Sequence, residues 1–367
     1  MKHTQLYIGI MSGTSMDGAD AVLISMNGSQ WQGALAHAFL PYSGCLKTAL
    51  LDLQNTGNNE LHRSQILAQE LSLLYAQTVH QLLTQQNLSA NNITAIGCHG
   101  QTIRHAPEHR YSIQLVNLPL LAEKTGILTI GDFRNRDLAA GGQGAPLVPA
   151  FHQALFAKEN TSRVVLNIGG IANISVLHAN TPPIGFDTGA GNMLLDAWAQ
   201  HIWQHDYDTN GEIAAQGLVL PELLNKLLAH PYFKQPYPKS TGRELFSLTW
   251  LQSHLHGKEN PYDVMRTLVQ FTANSIHAAI IQAAPYVQQI YVCGGGIRNP
   301  VLMSCLKTLF TEQAEIHSTA TLSLDPQWVE AAAFAWLAAC WVNRTPSNPH
   351  IATGANKALI LGSGHYA

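Results

Sequence analysis

The chain has 367 residues, of which 46% are hydrophobic and 12% charged, with 29 glycines, 17 prolines and a formal charge of −3. That length predicts two domains with a core of useful size, and the composition is that of a soluble α/β globular protein rather than a disordered one. The near-neutral balance, with no run of Lys and Arg, gives no footing for a nucleic-acid role.

Residues 6–24, LYIGIMSGTSMDGADAVLI, place two β-rich segments around a Ser/Thr/Gly-rich centre. Tyr7, Ile8 and Ile10 lead in and Ala21 to Ile24 lead out, so the pattern predicts a hairpin whose turn carries Ser12, Gly13, Thr14, Ser15, Asp17 and Gly18. Backbone N–H groups and hydroxyls gathered on such a turn suit phosphate oxygens. The other reading is an ordinary hairpin in which Asp17-Gly18 supplies positive φ. Residues 31–40 read as a third strand. Apolar spacing at Ile66, Leu67, Leu71, Leu74, Val79, Leu82 and Leu83 predicts a helix over 64–86. A buried strand over 93–98 runs into His99-Gly100-Gln101-Thr102, at the strand edge where α/β sheets bind ligands. Alternatively, Gln101 and Thr102 satisfy backbone groups in a polar loop.

A short strand over 127–130 leads to Gly131-Asp132-Phe133-Arg134-Asn135-Arg136-Asp137 and a glycine-rich bend. This stretch reads either as a domain crossing lined with fixed charges or as a salt-bridged surface loop. A helix is predicted from Pro149 to Ala157. Residues 164–176 repeat the pattern strand, Gly169-Gly170, strand, so two similar halves would grip a polyphosphate from both sides of a cleft. In residues 183–192, Asp187 is read as ending a strand before a helix over 193–205, with backbone donors nearby. It is the candidate general base, with a turn cap as the alternative.

Residues 210–258 are less regular, broken by Pro231, Pro236 and Pro238, and Thr241 to Glu244 read as a loop touching the site. A long helix is predicted over 262–284 from Val264, Leu268, Phe271, Ile276 and Ile280. The strand 289–293 then meets Gly294-Gly295-Gly296, whose bare backbone would admit a flat ring or a phosphate. A Rossmann fingerprint is a poor fit, because Asn299 stands three residues after Gly296. The last helix, 327–343, is apolar nearly all round and therefore buried. Glu330 at its start is either structural or turned toward a sugar hydroxyl or amide.

Cys45, Cys98, Cys293, Cys305 and Cys340 form no C-x-x-C pair, which suggests neither a disulfide framework nor a thiolate zinc site and fits a reducing cytoplasm. None of the 18 histidines lies in H-E-x-x-H. The start MKHTQLYIGI lacks the apolar segment of a signal peptide, and the apolar run 331–342 is too short to span a bilayer.

The blocks MSGTSMDG, CHGQT, GDFRNRDLAAGGQGAPLVP, NIGGIANIS, GFDTGAGN, CGGGIRNP and VEAAAFAWLA, in that order from residue 11 to 338, resemble the anhydro-N-acetylmuramic acid kinase family of the actin, hexokinase and sugar-kinase superfamily. The resemblance implies an α/β fold of two similar actin-like ATPase (ribonuclease H-like) domains with an interdomain cleft. The expected boundaries are residues 1–133, with 345–367 returning to them, and residues 134–344. It further implies a cytoplasmic enzyme that uses ATP, Mg²⁺ and water to open the 1,6-anhydro ring of its sugar and phosphorylate O6, in peptidoglycan recycling.

By the same resemblance Asp187, in the FDTG block, is the catalytic aspartate, and Ala190 stands where the family commonly has proline. Nucleotide contacts are expected at Ser12, Gly13, Thr14, Ser15, Met16, Asp17, Gly18 and Ala19, with a second phosphate clamp at Gly169 and Gly170. Gly294, Gly295, Gly296 and Asn299 are expected on the adenosine side. Gln101, Thr102, Arg134, Asp137 and Glu330 are expected toward the sugar, whose lactyl carboxylate an Arg could pair. The partners implied are a small amino sugar, with neither nucleic acid nor membrane, and a homodimer is allowed. Competing functions are a kinase of another sugar or carboxylate in this superfamily, a non-catalytic ATP-driven switch, and an NAD-linked enzyme.

Overall fold

The structure, a computed structural model, describes residues 4–13, 16–28, 30–179, 181–242, 244–348 and 350–367. Two of the expected nucleotide contacts, Thr14 and Ser15, lie outside the described residues. The chain divides into two compact units, Met1–Phe151 with Trp328–Ala367, and His152–Gln327.

The first unit opens with β1 (Gln5–Met11), β2 (Gly18–Asn27) and β3 (Gln30–Pro41), paired antiparallel in turn, with Tyr7 facing Ile24 and Val22 facing His37. Helices α1 (Gly44–Gln54) and α2 (Glu60–Gln85) follow, and the chain returns to the sheet as β4 (Ile93–Cys98), parallel to β1. A side hairpin of β5 (Gln101–Ala106) and β6 (Tyr111–Leu115) precedes α3 (Leu118–Thr125) and β7 (Thr129–Gly131). Helices α4 (Phe133–Ala139) and α5 (Val148–Phe156) come next.

The second unit begins with the antiparallel meander β8 (Arg163–Ile168), β9 (Ile171–His178) and β10 (Thr181–Ala190). Four helices follow: α6 (Met193–Trp203), α7 (Pro221–Leu228), α8 (Leu248–Gln252) and α9 (Pro261–Ala283). Strand β11 (Gln289–Cys293) lies parallel to β8, and after α10 (Pro300–Leu309) strand β12 (Glu315–Ser318) lies parallel to β11. The first unit is then completed by α11 (Val329–Val342), α12 (His350–Thr353) and β13 (Ser363–His365), the last antiparallel to β7.

The sheet orders are β13-β7-β4-β1-β2-β3 and β12-β11-β8-β9-β10. Apart from β13 they coincide: a three-stranded antiparallel meander extended by two parallel strands. The expected pair of similar α/β domains is therefore visible in the topology itself.

Alternation along the strands explains how each sheet is covered. In the first unit Ile8, Ile10 and Ile96 share a core with Leu67, Leu71, Tyr75, Val79 and Leu82 of α2. The intervening Gly9 and Gly97 face the other way, onto α11. A Cβ on Gly9 would stand 1.8 Å from the Ala331 carbonyl oxygen, and one on Gly97 would stand 2.0 Å from that of Phe334. Backbone thus packs on backbone, which accounts for the burial of every residue from Ala331 to Cys340. It also accounts for residues 328–344 lying with the first unit; residues 134–151 lie there too, so the boundary differs from the expected one. In the second unit Val264, Leu268, Phe271, Ile276 and Ile280 of α9 pack on Leu166, Ile168 and Ile174.

Some expectations need correction. Residues 133–139 form a helix, not a loop, and Gln101 begins a strand. Asp187 lies inside β10 rather than at its end. Positive φ in the first turn belongs to Met16, at 53°, while Gly18 is required because a Cβ there would stand 2.3 Å from the Leu40 carbonyl oxygen. Among the described residues no helix is long and apolar enough to cross a membrane.

Candidate active site

The turn between β1 and β2 is fastened from beneath. Met16 is fully buried in the first unit's core, and its N–H donates to the Gly13 carbonyl at 3.2 Å. Ser12, also buried, donates its hydroxyl to Oε1 of Gln101 and accepts from the Tyr42 hydroxyl at 2.6 Å, which lies 3.2 Å from that of Tyr75. Nε2 of Gln101 donates to the Gly13 carbonyl at 3.4 Å. Ser12 and Gln101, expected to touch different ligands, are therefore turned onto each other and set the loop's shape. Asp17 pairs with Lys47 at 3.1 Å on the surface, and Ala19 is a buried strand residue. Thr102 accepts from Nε2 of Gln114 at 3.2 Å.

Arg134 and Asp137, three residues apart, share one face of α4 and grip a single glycine. Nη1 of Arg134 donates to the Gly144 carbonyl at 2.8 Å, and the Gly144 N–H donates to Oδ2 of Asp137 at 2.9 Å. Oδ1 of Asp137 accepts from the Thr353 hydroxyl at 2.9 Å and from Nδ2 of Asn348 at 3.2 Å. This fully buried carboxylate thus ties the glycine bend to the C-terminal segment. The fixed charges hold the bend; they do not pair with each other. Arg134 also donates to Nε2 of His99, at 3.2 Å from Nε and 2.9 Å from Nη2. Burial, then the guanidinium beside it, holds His99 well below the usual imidazole range, and it stays neutral. Burial lowers Arg134 to about 10, and the charge of Glu330, in the first turn of α11, works the other way.

In the second unit β8 and β11 are parallel neighbours, with Cys293 facing Asn167. The turns that follow them, Gly169-Gly170 and Gly294 to Gly296, consequently leave the sheet at one edge. The Gly170 carbonyl accepts from Gly191 at 2.9 Å and Met193 at 3.1 Å, and the Gly169 carbonyl accepts from Asn192 at 2.8 Å. Gly294 and Gly296 face inward: added Cβ atoms would meet Oδ1 of Asn167 at 2.4 Å and the Ile168 side chain at 2.3 Å. Gly169, Gly170 and Gly295 face room, with nothing nearer than 3.6, 3.9 and 3.6 Å. Bare backbone is therefore offered at three positions on one edge. Oδ1 of Asn299 is occupied as the cap of α10, accepting from Val301 and Leu302, each at 3.1 Å.

Asp187 faces Asn173 across the β9–β10 ladder, where the register shifts before Gly189. Its N–H donates to the Lys239 carbonyl at 3.0 Å, and its own carbonyl accepts from the Tyr232 hydroxyl at 2.6 Å. Oδ2 accepts from the Thr241 N–H at 3.0 Å. Burial lifts the carboxyl to about 6, the Thr241 N–H pulling the other way. A half-buried carboxyl with its proton affinity raised in this way can gain and lose a proton near neutral pH. The loop at Thr241 was expected beside the site. Tyr232 and Lys239 were not, and no local pattern marks them.

Two units built on one strand order, with glycine turns where the sheet ends, define a duplicated α/β protein. The family model described as anhydro-N-acetylmuramic acid kinase matches residues 5–367. The anhydro-N-acetylmuramic acid kinase of Neisseria meningitidis serogroup B (strain ATCC BAA-335 / MC58) is 68% identical over 366 residues, covering 100% of each chain. That of Neisseria gonorrhoeae (strain ATCC 700825 / FA 1090) is 67% identical with the same coverage. That of Nitrosomonas europaea is 49% identical over 360 residues, covering 97% of this chain and 98% of its own. The chain belongs to the anhydro-N-acetylmuramic acid kinase family.

Proposed function

We propose that the chain opens the ring of 1,6-anhydro-N-acetylmuramic acid with water while phosphorylating O6, giving N-acetylmuramic acid 6-phosphate and ADP, in cytoplasmic recycling of peptidoglycan. Asp187 carries the reading: a half-buried carboxylate, anchored through one oxygen, with its proton affinity raised to about 6. Water is a poor nucleophile, so a base must take its proton as the water oxygen bonds to C1 and the C1–O6 bond breaks. Asp187 ends that step carrying the proton. ATP, when bound with Mg²⁺, supplies the phosphoryl group that O6 accepts.

The residues present fit a nucleotide. Gly169, Gly170 and Gly295 offer bare backbone of the kind that lets phosphate or a ring approach closely. In the first unit we assign phosphate contact to the loop from Gly13 to Gly18, with Ser12 and Met16 holding it in shape. Thr102, Arg134 and Glu330 are assigned to the sugar, whereas Gln101 and Asp137 act by fixing their neighbours. Among the described residues no group of three or more His, Cys, Asp or Glu could hold a metal ion. Mg²⁺ would arrive with the phosphates of ATP and keep several of its waters.

The test is mass spectrometry of the sugar product made in ¹⁸O water and quenched before the anomeric oxygen exchanges. The expected product has gained one water and one phosphoryl group, with the label at C1 and none on the phosphate. Label on the phosphate, or turnover of glucose in preference to the anhydro sugar, would reject the reading.

A further inference from the structure

Segment 232–241 reaches Asp187 from a distance in sequence and holds it at three atoms, one of them on the carboxylate. The Lys239 carbonyl takes its N–H, the Tyr232 hydroxyl caps its carbonyl at 2.6 Å, and the Thr241 N–H takes Oδ2 at 3.0 Å. The segment is itself tied across its own bend. The Lys239 ammonium donates to the carbonyls of Tyr232 at 3.0 Å and Phe233 at 3.4 Å, and stands 4.6 Å from the centre of the Tyr232 ring. Tyr232 is 2% exposed and packs edge-on against Phe233 and Phe246. We propose that Tyr232 and Lys239 are positioning residues for Asp187, forming a clamp that fixes Oδ2 and leaves Oδ1 to receive the proton. The inference rests on the reading of Asp187 as the base.

The protonation states agree with this division of labour. Burial, then the charge of Asp187, holds the Tyr232 phenol above its usual range, so it remains a hydrogen-bond donor. Burial lowers Lys239 from its ordinary value. Of the titratable groups on this segment, Tyr232 meets Asp187 through its hydroxyl, Lys239 meets it through its carbonyl, and Tyr237 stacks on the neighbouring Phe186. Because burial is the leading cause of the raised carboxyl, loosening the clamp admits water and lowers it.

The test uses full-length Tyr232→Phe, Lys239→Met and Lys239→Arg. Asp187 is titrated directly by carbon NMR of aspartate-labelled protein, kcat is followed against pH, and KM is measured for ATP. Tyr232→Phe is expected to move the Asp187 titration down by about one pH unit as its shielding loosens. It is expected to lower kcat roughly ten- to a hundredfold, the scale of a catalytic group displaced by about 1 Å, with KM for ATP within twofold. Lys239→Met should move both quantities the same way and Lys239→Arg should restore them, which keeps the test open if Tyr232→Phe fails to fold. A titration that does not move in either variant overturns the clamp, whatever kcat does. A titration that moves while kcat stays put upholds the clamp and removes Asp187 from the base role.

Discussion

Asp187 is ionised at neutral pH in a place that favours its protonated form, and this fixes the sign of two expectations. A carboxyl raised to about 6 holds its proton below that value, so the base is present above pH 6 and lost as pH falls through it. The kcat profile should therefore show an acid limb centred near pH 6, absent from a titration of nucleotide binding alone. Asp187→Asn keeps an acceptor for the Thr241 N–H but cannot take a proton, so kcat should fall by ~10²–10⁴-fold with ATP affinity unchanged by calorimetry. Linkage sets the stability of the same variant. The wild-type carboxyl stabilises the fold most when protonated, below the ordinary carboxylate range, and that contribution is lost as pH rises through 6. At pH 8 Asp187→Asn should be as stable as wild type, or more so by up to ~3 kcal/mol in urea unfolding. The FDTG block that singles out Asp187 is a run of neighbouring residues and can be read along the chain. The contact from Tyr232 could not be read so, since Tyr232 lies 45 residues away and carries no periodic or motif signal.

Among the elements, those with a strong period were the ones the sequence exposed. Helices α2 and α9 fall within a few residues of the expected spans, as do the meanders β1 to β3 and β8 to β10. Short elements were missed because a few residues give no period to read: α3 and α4 occupy 8 and 7 residues, and β12 only 4. The uniform apolarity of α11 announced burial, but its approach to the sheet was written elsewhere, in Gly9 and Gly97. Gly97→Ala would drive a methyl group against the Phe334 carbonyl of a helix that is itself packed on all sides. It should lower stability by at least ~2 kcal/mol in thermal unfolding, as overpacked cores do. Gly44→Ala, where an added Cβ meets nothing within 4 Å, is the matched control and should be neutral or slightly stabilising.

At the scale of the whole molecule the two units differ in how the chain builds them. Residues 152–327 form an uninterrupted stretch with a core of their own, whereas the first unit needs segments from both ends of the chain. The isolated fragment 152–327 should unfold cooperatively in circular dichroism. Fragment 1–151 should not, because it lacks α11 over Gly9 and Gly97 and the donors from Asn348 and Thr353 to Asp137. A cooperative transition in fragment 1–151 would show that the sheet and α2 suffice without the return of the chain.

Strand β13, residues 363–365, lies at the edge of the sheet that β1 to β3 begin, and the whole second unit intervenes in sequence. On a ribosome, the unit begun earliest must wait for residues beyond 327 before its sheet is complete, while the unit from 152 to 327 can close first. The nascent chain therefore carries an unfinished apolar surface while residues 152–327 are made, the state in which holding chaperones matter most. Slowing translation would prolong that wait, not relieve it.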